Sequence, residues 1–185
     1  MSALPWGYAP PWARGSGNRP PAINARLETA VTSRYWSNVW KSGRCLVPAD
    51  GWYEWVKDPT NTKRKQPYYI KLKTDEPMFF ASVGRFTGGA DEKLDDGDGF
   101  AIVTSASDQG MVDIHDRMPV VLTADTAREW LDTGLEPERA EDLARHHAEP
   151  VDAFEWYEVG KEVGNVKNKG PGLIRATATP TQQQL

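Results

Sequence analysis

The chain has 185 residues, 39% of them apolar and 26% charged, with a formal net charge of −4 and a single cysteine, Cys45. That length suits one domain with a real core, and one cysteine excludes an internal disulfide framework and any multi-cysteine metal centre. No apolar run approaches the ~20 residues of a membrane helix, and the opening residues have no basic start followed by an apolar stretch, so no secretory signal is read and a cytoplasmic protein is expected.

In chain order, residues 1–22 are rich in Pro, Gly and Trp and read as an ordered loop. From Glu28 to Lys41 the positions Val31, Tyr35, Trp36, Val39 and Trp40 recur at helical spacing, and Gly43 ends the segment. Apolar, β-branched or aromatic runs follow at Arg44–Pro48, Trp52–Lys57, Pro67–Lys73, Met78–Phe86, Phe100–Ala106, Met118–Leu122 and Phe154–Val159, separated by turn-rich segments such as Asp58–Asn61 and Gly88–Gly99. Two helices fit Ala124–Asp132 and Pro137–His147, with Thr123 as N-cap of the first. Many short strands with little strand–helix alternation predict an α+β fold on a curved, mostly antiparallel, barrel-like sheet with a few short helices. Residues 1–176 are expected to form one domain, and the polar tail 177–185 reads as disordered.

The charge is unevenly spread. Residues 1–73 hold 12 Lys and Arg against 4 Asp and Glu, a surplus of +8, while the rest of the chain is acidic. Six of the eight tryptophans also fall within residues 1–55. Basic and aromatic groups interleaved in one region suit single-stranded nucleic acid, because phosphates pair with the cations and bases stack on rings. A tryptophan not used this way belongs to the core.

Three polar islands interrupt the apolar sequence. In Trp52-Tyr53-Glu54-Trp55 a carboxylate sits among aromatics on a strand; turned inward, its pKa rises toward neutrality as a general acid/base needs, and turned outward it is a surface glutamate. The flanking Asp50-Gly51 reads as turn chemistry. His115, between Asp113 and Asp116, either shuttles protons or fastens its loop through hydrogen bonds. Asn24 and Arg26, two apart on an extended segment, share a side, where an amide and a guanidinium suit a carbonyl-derived group beside a phosphate. His146 and His147 are adjacent on a helix and read as its solvated end, so no metal site is expected.

In this order the segments Trp6–Pro10, Ile23–Arg26 with Glu28 and Thr29, Cys45–Trp55, Val103-Thr104, Asp108–Gly110, Asp113–Pro119 and Gly164–Asn168 resemble the SOS response-associated peptidase (SRAP) family of abasic-site processing proteins. The resemblance runs from about Trp6 to Arg175. It implies binding of single-stranded DNA and covalent capture of an abasic site, whose open-chain aldehyde closes a thiazolidine ring with the amine and thiol of a cysteine exposed at the N-terminus. The family's peptidase name goes with autoproteolytic exposure of that terminus. It further implies that Asn24, Glu54 and His115 are catalytic, that Arg26 and Arg117 contact phosphates, and that Trp12 lies in a DNA-facing aromatic loop. No cofactor is implied, and a monomer is expected.

The family begins Met-Cys-Gly-Arg and carries several tens of residues before the Trp-Gly-Tyr-Ala-Pro stretch, which here starts at Trp6; position 2 is Ser2. Relative to the family the sequence therefore reads as lacking the nucleophilic N-terminal segment. Cys45 matches a strand position and has no free α-amine. Two further readings stand beside the enzyme: a non-catalytic single-stranded DNA binder of the same fold, and a thiol hydrolase using Cys45 with His115.

Overall fold

The computed structural model describes residues 4–14, 20–61, 63–88 and 94–177. Ser2 and the tail beyond Thr177 lie outside them. The chain forms two compact units: residues 1–48, 78–105 and 118–149 make the first, and residues 49–77, 106–117 and 150–185 the second.

The first unit carries most of a six-stranded sheet. Its elements are β1 (Asn24–Arg26), β2 (Arg44–Ala49), β5 (Met78–Arg85), β6 (Gly99–Ala106), β7 (Arg117–Pro119) and β8 (Val121–Leu122), in the order β1-β6-β5-β2 with β7 on β6 and β8 on β5. β1 runs parallel to β6, whereas β5 pairs antiparallel with both β6 and β8. The second sheet is wholly antiparallel, β3 (Trp52–Lys57), β4 (Lys65–Leu72) and β9 (Phe154–Glu158) in the order β3-β4-β9. The expected α+β architecture and its antiparallel bias are therefore present, divided between two open sheets among the described residues.

The helices α1 (Leu27–Ala30), α2 (Ser37–Ser42), α3 (Ala124–Trp130) and α4 (Pro137–His146) belong to the first unit. Thr123 caps α3 as expected, its Oγ1 accepting the Thr126 N–H at 3.2 Å. The helix expected over Glu28–Lys41 is instead split into α1 and α2. Ser33 is the reason: its Oγ accepts the Tyr35 N–H and its carbonyl accepts the N–H groups of Trp36 and Ser37, a local alternative to the helical ladder. The break turns Tyr35 and Trp36 onto Tyr8, with ring centroids 6.0 and 5.6 Å away, and the Tyr35 hydroxyl donates to the Tyr8 carbonyl at 2.7 Å. The Met118–Leu122 run likewise divides at Val120, whose carbonyl accepts the Ala81 N–H while its own N–H goes to Val103.

Trp40 and Trp130 lie at the centre of this core, edge to face at 5.5 Å and almost fully buried. Each indole N–H is satisfied, Trp40 by the Pro137 carbonyl and Trp130 by the Cys45 carbonyl. Arg44 fastens the same region. Its guanidinium donates to the carbonyls of Trp40, Lys41, Trp130, Asp132 and Leu135, so a basic residue that composition alone would assign to phosphates holds helix ends together. Arg14 is used similarly, reaching the Ala9, Asp96 and Gly97 carbonyls.

In the second unit, strand alternation gives the three-stranded sheet two distinct faces. One carries Trp52, Glu54 and Val56 of β3, Tyr68 and Ile70 of β4, and Trp156 and Glu158 of β9; the other carries Tyr53, Trp55, Tyr69 and Tyr157. Gly51 permits the close approach at the start of β3, because a Cβ there would overlap the Tyr69 ring and the Ile70 carbonyl. No helix among the described residues is long and apolar enough to cross a membrane.

Candidate active site

Glu54 lies at the middle of β3, half-buried, on the face that it shares with Trp52 and Val56. Of the two orientations open from sequence, this is the inward one. Burial raises the pKa of its carboxyl; His115 opposes that shift and the Asp116 charge adds to it. Tyr68 stands directly across from Glu54 on β4, and Glu158 directly across from Tyr68 on β9. The Tyr68 hydroxyl donates to Glu158 Oε1 at 3.0 Å, and burial together with that carboxylate keeps the phenol protonated. Glu54, Tyr68 and Glu158 thus form one polar row across this face. The sequence reading picked out Glu54 alone, because the register that aligns the three is a tertiary property.

His115 follows the short 3-10 turn Gln109–Asp113, and its backbone N–H returns to the Met111 carbonyl. Gly110 in that turn lies against the Trp156 ring on the Glu54 face. His115 Nδ1 sits 3.0 Å from both the N–H and the carbonyl of Arg117, and 3.2 Å from Asp116 Oδ1. The neutral imidazole accepts the Arg117 N–H there, leaving its proton on Nε2; the imidazolium donates from Nδ1 to the carbonyl and carboxylate. The ring is held in either protonation state while 44% of the side chain stays exposed. It fastens the loop and stays partly open to solvent.

Glu54, His115 and Arg117 belong to the second unit, where His115 acts electrostatically on Glu54, while Asn24, Arg26 and Trp12 belong to the first. Asn24 and Arg26 are exposed on either side of buried Ala25, so they do share one side of β1. Trp12 sits in a 3-10 turn, 53% exposed, with the Arg34 guanidinium 5.1 Å from its ring centroid and Tyr35 edge-on. Trp6 was not singled out as a site residue, yet it is 55% exposed and its indole N–H donates to the Ile23 carbonyl at 2.8 Å, fixing an open ring beside Asn24. Of the six early tryptophans, Trp36 and Trp40 are core, Trp52 is half-buried, and Trp6, Trp12 and Trp55 are exposed.

Cys45 is different in kind. Burial pushes its thiol up to about 12, and burial is the only influence acting on it among the described residues. A thiol so protonated near pH 7 is a poor nucleophile, which removes the basis for the hydrolase reading. His146 Nδ1 and His147 Nε2 both face the Asp142 carboxylate, at 2.9 and 3.3 Å, on an exposed helix end. Among the described residues no group of three or more His, Cys, Asp or Glu side chains could hold a metal ion.

The chain is thus α+β, with a half-buried carboxyl and a loop-anchored imidazole in the second unit and exposed aromatic and basic side chains in the first. The chain belongs to the SOS response associated peptidase (SRAP) family, whose model matches residues 1–166. It is similar to the abasic site processing protein YedK of Escherichia coli K12, 44% identical over 170 residues that span 92% of this chain and 72% of YedK. The abasic site processing protein YoqW of Bacillus subtilis 168 is 36% identical over 183 residues, 95% of this chain and 76% of that protein. Among solved structures, a phage-related protein from Bordetella bronchiseptica superposes with a TM-score of 0.71 at 42% identity, covering 85% of this chain and 70% of that one.

Proposed function

We propose that this chain is an abasic-site processing protein of the DNA damage response, which binds single-stranded DNA and captures the aldehyde of a base-free sugar covalently. The observation that carries this reading is the Glu54 carboxyl, held by burial above the ordinary carboxylate range and within electrostatic reach of His115, in a chain whose relatives bear that name.

The chemistry requires an amine and a thiol on one residue. An amine attacks the sugar C1′ aldehyde to give a carbinolamine, which loses water to form an imine. The thiol then adds across the C=N bond, sulfur to carbon and proton to nitrogen, closing a thiazolidine ring. The net change is release of one water. Cys45 is ruled out for this role by its peptide-bonded nitrogen as well as its protonated thiol. The nucleophile in this reading is a cysteine at the exposed terminus of a segment preceding Trp6, and freeing that terminus is a peptide-bond cleavage, the activity in the family's name.

Each step moves a proton. A carboxyl whose pKa burial raises holds its proton more readily, so it can protonate the departing hydroxyl and retrieve the proton afterwards, which assigns Glu54 the general acid/base role. His115, with Nδ1 tied to the loop and a proton on Nε2, assists sugar-ring opening and reversal of the adduct. Asn24 offers amide donors and an acceptor to the terminal residue and the sugar. Arg26 and Arg117 pair with the flanking phosphates, and Trp12 stacks on a neighbouring base.

The test is incubation with an oligonucleotide carrying one abasic site, followed by a denaturing gel. The 185-residue polypeptide, with Ser2 near its start, is expected to bind without a heat-stable adduct. The same polypeptide preceded by a relative's N-terminal segment and ending in an exposed cysteine is expected to cross-link. Salt-dependent binding with no adduct in that second form would favour the non-catalytic binder, and no binding by either form would overturn the reading.

A further inference from the structure

The reverse face of the three-stranded sheet has a composition that the capture of an abasic sugar does not use. Tyr53, Tyr69 and Tyr157 are aligned across β3, β4 and β9 with ring centroids 5.2 and 5.9 Å apart, and Trp55 continues the row along β3 at 6.4 Å from Tyr53. The Tyr157 hydroxyl donates to the Ile174 carbonyl, so this end is used by the later chain. Trp55, by contrast, is 39% exposed. Two residues further along the same face comes Lys57, and Lys65 stands directly across from it on β4. The turn that joins the two strands adds Lys63 and Arg64, both exposed.

Like charges placed directly opposite on a sheet destabilise it, and this pair is not compensated. Among the described residues no ion pair or hydrogen bond engages the side chains of Lys57, Lys63, Arg64 or Lys65, although the chain is acidic overall. Lys71 on the same face shows the contrast, being paired with Asp75 and Glu155. The one carboxylate of the turn, Asp58, is occupied in shaping it, accepting from the Thr60 hydroxyl and from the N–H groups of Thr60 and Asn61. An uncompensated cationic tip beside an exposed indole fits a polyanion whose units carry flat apolar rings.

We propose that Trp55, Lys57, Lys63, Arg64 and Lys65 form a second contact surface for single-stranded nucleic acid, on the face of the β3–β4–β9 sheet away from Glu54. This rests on the DNA-binding reading above. A base stacks on Trp55, and the phosphates beside it meet Lys57 and Lys65, whose Cα atoms lie about 7 Å further along the sheet at two residues of strand rise. The surface engages nucleotides outside the abasic position, so it lengthens the footprint without touching the reacting sugar.

The experiment measures binding of the full chain to fluorescent thymidine oligonucleotides of 6 and 20 nucleotides and to a 20-unit backbone lacking all bases. Wild type is expected to bind the longer base-bearing strand more tightly than the short one. Trp55→Ala should weaken binding of the 20-mer about tenfold and leave the base-free backbone unaffected. The Lys57→Ala/Lys65→Ala pair should lessen the slope of log affinity against log salt by about 1.4 on both long ligands. Circular dichroism of the lysine pair confirms folding independently of Trp55. If Arg26→Ala weakens 20-mer binding but Trp55→Ala and the lysine pair do not, this inference fails while DNA binding stands. If wild type binds none of the ligands, the functional reading itself fails.

Discussion

His115 Nδ1 and the Arg117 backbone N–H are 3.0 Å apart, so the imidazole closes the loop that delivers it. Removing the ring therefore has two separable effects. His115→Ala should lower stability by about 1 kcal/mol through the lost hydrogen bond, a fall in Tm of roughly 2–4 °C for a chain of this size. His115→Asn can accept the same N–H and should recover most of that stability. Neither variant should recover the rate of adduct formation or reversal, which is expected to fall by about 10²-fold if the ring moves a proton. Thermal melts and single-turnover rates on the two variants separate fastening from chemistry; normal rates in both would leave His115 a loop fastener only.

The raised pKa of Glu54 predicts a stability effect of definite sign. Its carboxyl binds a proton more tightly folded than unfolded, so its contribution is fully present below the unfolded value of about 4.3 and is lost as pH rises through the raised folded value. Glu54→Gln has no such titration. The glutamine variant should melt above wild type at pH 7 to 8, with the gap closing as pH falls toward 4. A gap that grows on acidification would show instead that the native site favours the ionised carboxylate.

Arg44 makes a prediction about architecture. Its five carbonyl partners need a planar, multidentate donor that a lysine ammonium cannot imitate. Arg44→Lys should cost about 2 kcal/mol, seen as a lower urea midpoint with an unchanged m value. No change in midpoint would mean that the carbonyls are as well satisfied by water.

What the sequence made legible follows from how local the signal is. β3 runs over Trp52–Lys57 as expected, and Thr123 caps α3, because alternation and capping are written in neighbouring residues. The break between α1 and α2 was not legible, since helical spacing continued through it while Ser33 and the pull of Tyr8 on Trp36 decided the outcome. Charge was read as a sum, and the sum misled in part. Arg14 and Arg44 count toward the basic half yet spend their guanidiniums on backbone carbonyls. Glu54, His115, Asn24 and Arg26 could be put forward as candidates from residue type and order; the Tyr68–Glu158 partnership and the open face of Trp6 depend on register and packing that no local pattern encodes.

The most direct test of the account is the rate of cross-linking to an abasic oligonucleotide by the cysteine-terminated form, with Glu54 and with Glu54→Gln, at matched DNA occupancy. Intact mass should equal protein plus oligonucleotide less one water, with the attachment on the terminal cysteine. Glu54→Gln should bind DNA with little change, because the proposed phosphate contacts belong to Arg26 and Arg117, and should form the adduct at least ~10²-fold more slowly. An adduct forming at the wild-type rate in the glutamine variant, or attached to a lysine in place of the terminal cysteine, would contradict the account.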